Sequence, residues 1–274
     1  MKASEQLANI RGRLAWEIVD QARRQRDAAI RREKTGARSG KARAAAHRAR
    51  VDADRTLRKV VRRADRLISQ ALRLLGELQD LEKTLERASL IGSIYKRRAL
   101  IDEAVGRRAR IAPSLRQMLR GYERAQEIGY ANGVKDVYYP ASNRLAADVA
   151  LKAGKPGWRG LDREIAAVVA SSLESKRAND ADFWSVVGEI ELRQYQAIAR
   201  KRLAAAYPHL LRAYQDLHKR VAATRMWSSV YDTACLVLPS YAVRVVGRDR
   251  AVARALLAQL REFAHPEREP TSAE

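Results

Sequence analysis

Leu57, Ala64, Ala71, Leu78 and Leu85 recur every seven residues, and Val60, Leu67, Leu74 and Leu81 interleave three residues later. Seven residues make almost two turns of an α-helix, so these a and d positions form one apolar stripe over four heptads. Val61, Ile68 and Leu75 extend the stripe at e, which makes it wider than a two-stranded seam and favours packing inside a bundle. Gly76 weakens this helix without ending it. Upstream, residues 3–34 read as another helix, with Leu7, Ile10, Leu14, Ile18 and Ala22 on one face and Trp16 on a different one. Between the two, Thr35-Gly36-Ala37-Arg38-Ser39-Gly40-Lys41 reads as a turn or flexible loop. The expected arrangement is an antiparallel hairpin around Gly36–Gly40, or a coiled coil in which the 57–85 seam pairs with a second chain as a homo-oligomer.

Charge is concentrated at this end. Residues 1–66 hold 20 Lys and Arg against 8 Asp and Glu, over half of the net charge of +22 carried by the 274-residue chain. Arg23, Arg24, Arg31, Arg32, Lys34, Arg38, Lys41 and Arg43 surround the loop and are the candidate polyanion-binding residues. A second basic cluster is Arg107, Arg108, Arg110, Arg116 and Arg120. The partner implied by such a charge is nucleic acid, another polyanion or an acidic protein. Trp16 and His47 are the only ring side chains in this section, so base stacking would be sparse. An anionic membrane surface fits less well, because the apolar stripe lacks the bulky aromatics of interfacial helices.

From residue 87 the pattern becomes one of shorter helices, expected over 87–105, 114–129, 141–153, 161–176, 181–205, 208–222, 227–237 and 249–264. Pro113, Pro140, Pro156, Pro208 and Pro239 are expected at helix starts or gaps, where a missing N–H costs nothing. Hydrophobic residues reach 46% of the chain, mostly Ala and Leu, while aromatics are 6%, a balance that favours helices over long β-meanders. The fold class is therefore all-α: a basic helical hairpin or coiled coil over 1–86, a helical array over 87–265, and a disordered tail over 266–274.

The residues assemble no catalytic or metal motif. The histidines are His47, His209, His218 and His265; His209 and His218 lie nine apart, and no H-E-x-x-H occurs. Glu189 and Glu191 point to different sides of a helix, and Asp102 and Glu103 read as surface charge. Ala153-Gly154-Lys155-Pro156-Gly157 lacks the spacing of a phosphate loop and reads as a turn. Cys235, the lone cysteine, sits among Ala234, Leu236, Val237 and Leu238 and reads as a small core residue of a protein from a reducing compartment. No metal, no cofactor and no enzymatic activity are expected. With no signal peptide or apolar span in the sequence, the expected location is the cytoplasm.

Two segments carry a family resemblance. Ile91, Gly92, Tyr95 and Ala104 match the first helix of a tetratricopeptide repeat. Tyr122, Ala125 and Gly129, with Gly129 at a C-cap, resemble its second helix. Tyr138-Tyr139-Pro140-Ala141-Ser142-Asn143-Arg144-Leu145 opens a new helix, and Asp182-Phe183-Trp184 followed by Gly188-Glu189-Ile190-Glu191-Leu192 and Ala197 looks like another repeat start. Residues 87 to about 240 thus resemble the divergent tetratricopeptide region of bacterial conflict and stress-signalling proteins, which is similar to the TRAF-binding region of eukaryotic stress-kinase kinases. The resemblance implies a scaffold that binds a protein partner. On its concave face Tyr95, Arg98, Asn143 and Arg144 would present donors to a carboxylate or phosphate.

Overall fold

A computed structural model describes residues 2–35, 39–134, 136–179 and 181–266. Among them are ten α-helices and no strand. The chain is all-α: α1 Lys2–Thr35, α2 Gly40–Leu81, α3 Leu85–Ala104, α4 Arg108–Ala131, α5 Tyr138–Lys152, α6 Arg163–Asn179, α7 Phe183–Ala199, α8 Leu203–Arg220, α9 Thr224–Ala242 and α10 Gly247–Ala264. The helices gather into two compact units, one running to Ala125 and one starting at Gln126. That division falls within α4, whereas the change of periodicity at residue 87 falls near the start of α3. Arg38 and residues 267–274, the bulk of the expected tail, lie outside the described residues.

In the first unit α1 and α2 form the antiparallel hairpin, and their contact is the most extensive between any two helices. Ser39 caps α2 by accepting a bond from the Ala42 N–H at 3.2 Å. The buried stripe of α2 is Leu57, Val61, Ala64, Ile68, Ala71, Leu75 and Leu78, the a and e positions. The d positions are left out: Val60, Leu67 and Leu74 are half-buried and Leu81 is 75% exposed. On α1 the expected face is only partly inside: Ala22 is buried, and Leu14 and Ile18 are half-buried. Ala8, Gly12, Ala15, Trp16, Val19 and Ala22 are buried, while Leu7 and Ile10 are 43% and 59% exposed. Small side chains face inward because the helices approach closely. A Cβ on Gly12 would lie 2.1 Å from Ile94 Cδ1 of α3.

The hairpin is fastened to α3 by Arg87, which is 2% exposed. Its Nε donates to Glu5 Oε1 at 2.6 Å and its Nη1 to the Leu78 carbonyl at 2.9 Å, joining three helix ends. Thr84 caps α3 by accepting from the Arg87 N–H at 3.2 Å. Helices α3 and α4 cross at Gly92 and Gly121, where a Cβ on Gly121 would lie 2.7 Å from the Gly92 nitrogen. The ring packed on Gly92 is that of Tyr122, and Tyr95 is half-buried. Asp102, expected at the surface, is 1% exposed with Arg107 at 3.4 Å. Burial pushes its carboxyl above the usual range, and Arg107 opposes that shift.

In the second unit α5 packs on α6, α6 on α7, α7 on α8 and α9 on α10, and α5 also meets α7 and α9. Trp227, wholly buried, sits edge-on to Phe183, Phe263 and Tyr214, with His218 also against it. His218 stacks on Phe263 at 4.2 Å. Cys235 is buried in α9. Arg244 donates to the Ala150 and Ala153 carbonyls, closing the end of α5, and 153–157 is a turn with positive φ at Gly154 and Gly157.

Three prolines depart from the expected gaps. Pro113, Pro208 and Pro239 lie inside α4, α8 and α9. Each removes a backbone bond, and helix continues because buried residues at helical spacing line one face on both sides of the ring or up to it. Around Pro208 these are Leu203, Leu210, Tyr214 and Leu217. Conversely, the helix expected over 181–205 is broken between Ala199 and Leu203, where Lys201 has φ of 53°. Gly133, not Gly129, ends α4: it has φ of 69°, and the Val134 N–H donates back to the Gly129 carbonyl at 2.9 Å.

Candidate interaction surfaces

The far end of the hairpin holds the basic residues singled out by sequence, in two different states. Arg23 and Arg24 turn toward Asp20, which is 5% exposed, at 2.7 and 3.0 Å. Arg23 also lies over the Trp16 ring at 5.9 Å. They share one buried carboxylate, with the Arg23 side chain 17% and the Arg24 side chain 36% exposed. Arg31, Arg32, Lys34, Lys41 and Arg43 are exposed. The one carboxylate among them, Glu33, is held by His47 at 2.9 Å and Arg50 at 2.6 Å across the hairpin. The His47 hydrogen bond and the Arg50 charge keep its carboxyl below the ordinary range. The tip therefore presents excess positive charge on two helices, one about 50 Å and the other about 60 Å long at 1.5 Å per residue.

Of the four residues expected on a concave face, two lie in each unit. Tyr95 and Arg98 are half-buried on α3 in the first unit. Asn143 Nδ2 donates to the Tyr139 carbonyl of its own helix at 2.9 Å, and Arg144 Nη1 donates to Gln126 Oε1 at 3.2 Å. The first bond stays within α5 and the second ties α5 to α4.

The exposed large apolar side chains among the described residues of the second unit are three aromatics, Tyr130, Tyr139 and Trp184, and three valines, Val134, Val243 and Val246. Tyr139 is 52% exposed at the start of α5 and Trp184 is 41% exposed at the start of α7. These helix starts lie at one end of the unit. Tyr138 Oη donates to the Trp184 carbonyl at 3.4 Å, and Lys176 near the end of α6 sits 4.9 Å over the Tyr138 ring and 3.1 Å from Asp136. Gly188 makes room for the Tyr138 hydroxyl, which a Cβ would approach to 2.1 Å. Burial raises the Tyr138 phenol well above its ordinary pKa, so it stays a neutral donor. Asp182 caps α7 by accepting from the Ser185 N–H at 2.7 Å, and Phe183 meets Trp184 edge-on at 5.0 Å. The two exposed rings thus stand on fixed helix starts. Tyr130 and Val134, at the end of α4 and just past it, are also exposed. A cleft of about 470 Å³ between α6 and α7 is lined by Leu173, Leu192, Arg177, Arg193 and Glu189, with both arginines 3.3 Å from Glu189.

Tyr139 and Trp184 were visible in the sequence as helix openers. Their exposure was not, because it depends on which neighbours cover each turn. Among the described residues no group of three or more His, Cys, Asp or Glu is arranged to hold a metal ion, and no helix is long and apolar enough to cross a membrane. Fold and surfaces together define an all-α protein with a basic hairpin and an aromatic-ended helical unit. Comparison with known family models, curated proteins and solved structures finds no match.

Proposed function

We propose that this chain is a non-enzymatic adaptor or regulatory scaffold whose second unit holds a partner protein at the end marked by Tyr139 and Trp184. The observation that carries the reading is the pair of exposed rings at the neighbouring starts of α5 and α7, which the Tyr138–Trp184 bond joins. Tyr and Trp dominate binding energy at protein interfaces, since they bury large area at small entropic cost. The adjoining α6–α7 cleft adds apolar walls and an ion-paired Glu189. The tetratricopeptide-like resemblance makes an effector protease or signalling enzyme of a bacterial defence or stress system the expected partner, and the cytoplasm the expected compartment. The test is co-purification with the proteins encoded beside this one. Trp184→Ala with Tyr139→Ala is expected to lower partner recovery at least about tenfold while leaving the melting temperature within a few degrees. Equal recovery by wild type and variant defeats the reading.

A second reading rests on Arg31, Arg32, Lys34, Lys41 and Arg43, exposed at the hairpin tip: the hairpin binds nucleic acid or another polyanion. Changing Arg31, Arg32, Lys34 and Lys41 to Glu is expected to move elution from a heparin column to markedly lower salt, because each phosphate contact adds to the salt slope. Elution at unchanged salt contradicts it.

A further inference from the structure

Packing leaves part of the apolar surface of the hairpin uncovered: Leu7, Ile10 and Leu81 are exposed, and Leu14, Ile18, Val60, Leu67 and Leu74 are half-buried. Gly12 marks the side of α1 that faces α3, through Ile94 and Arg97. Asp65 marks the corresponding side of α2, through its bond from Arg107 at 2.9 Å. At about 100° per residue, Leu7, Ile10, Leu14 and Ile18 point roughly 120–160° away from Gly12. By the same count Val60, Leu67 and Leu74 point roughly 140–180° away from Asp65. Both stripes therefore lie on the face of the hairpin turned away from α3. The Glu33–Arg50 and Glu33–His47 pairs fix the register of the two helices. Continued along the hairpin, that register sets Leu14 level with Leu67 and Leu7 level with Leu74. The two stripes thus make one apolar strip along α1 and α2, with Leu81, 75% exposed, at its open end.

Charge indicates what fits. Beside the α2 stripe stand Lys59, Arg63, Arg66 and Arg73, all exposed. Among the described residues none of the four has an acidic partner within salt-bridge distance. The carboxylates on this face are Glu77 and Asp80, near Leu81, and the exposed Glu17 on the α1 side. A second copy of this chain would bring four cations against four, so like charges disfavour it. A helix with leucines on one face and carboxylates on its flanks meets both needs. The stripe from Val60 to Leu81 matches about six turns of such a helix.

We propose that the outer face of the α1–α2 hairpin is a docking surface for an acidic amphipathic helix of a partner protein, separate from the aromatic end of the second unit. The test uses the full chain and a fluorescein-labelled synthetic peptide of three heptads, with Leu at a and d and Glu at e and g. A matched peptide carries Lys in place of Glu. Fluorescence anisotropy is expected to show saturable binding of the Glu peptide and at least about tenfold weaker binding of the Lys peptide. Leu67→Asp on the half-buried stripe is expected to weaken the Glu peptide about tenfold or more. Arg63→Glu with Arg66→Glu and Arg73→Glu, all at exposed positions where folding is not at stake, is expected to do the same. The proposal is overturned if the Glu peptide does not bind, if both peptides bind equally, or if neither variant changes binding. It is also overturned if light scattering shows a dimer that Leu67→Asp dissociates, which would make the occupant a second copy.

Discussion

Replacing Trp227 with alanine is expected to cost about 3–5 kcal/mol of stability, the range for truncating a buried large aromatic. The indole is wholly buried, and four rings close around it: Phe183 from α7, Tyr214 and His218 from α8, and Phe263 from α10. Its Nε1 donates to the Val221 carbonyl at 2.7 Å, in the link between α8 and α9. Alanine leaves a cavity that three neighbouring helices cannot all move to fill, and it leaves that carbonyl without its donor. Urea denaturation followed by circular dichroism measures the change. A loss below about 1 kcal/mol would mean that this ring cluster is not the centre of the second unit.

The second large effect is expected at the buried ion pair of the first unit. Glu5→Ala leaves the Arg87 guanidinium in a site where its side chain is 3% exposed, and breaking such a pair costs about 3–5 kcal/mol. The cause is a buried charge left with only the more distant, exposed Glu82 carboxylate at 3.6 Å, rather than the lost attraction. Glu5→Leu together with Arg87→Met therefore recovers part of the loss, although the Leu78 and Glu82 carbonyls still lose the guanidinium as a donor, Leu78 keeping the Glu82 N–H. Urea denaturation of both single variants and the double variant measures this. If the double variant is as unstable as the sum of the singles, Glu5 and Arg87 act independently and the explanation fails.

The long helices were legible because a seven-residue repeat over four heptads admits little else. Which stripe would be buried was not legible. Positions a, d and e of α2 are all apolar, and the choice among them was made by α1. Ala8, Gly12 and Ala15 allow closer approach to a neighbour than Leu7, Ile10 and Leu14, so the bulkier residues were turned outward against the simple expectation that they go inside. The break at Arg200–Arg202 carries no Gly or Pro and left no sequence signal. Pro208 and Pro239 carry a strong signal that packing overrode. Asn143 and Arg144 stood out as donors, yet each is bonded within the protein. The neighbouring Tyr139 is the exposed group, and only the covering of α5 by α6, α7 and α9 decides that.

The central claim, that the end of the second unit marked by Trp184 is where a partner protein sits, is tested most directly by site-specific photocrosslinking in cells. A benzophenone side chain is placed at Trp184, at Tyr139, or at His209, an exposed position on α8. The account predicts one and the same crosslinked protein from positions 184 and 139 and none from 209. Equal crosslinking at all three positions, or none at 184 and 139, would contradict it.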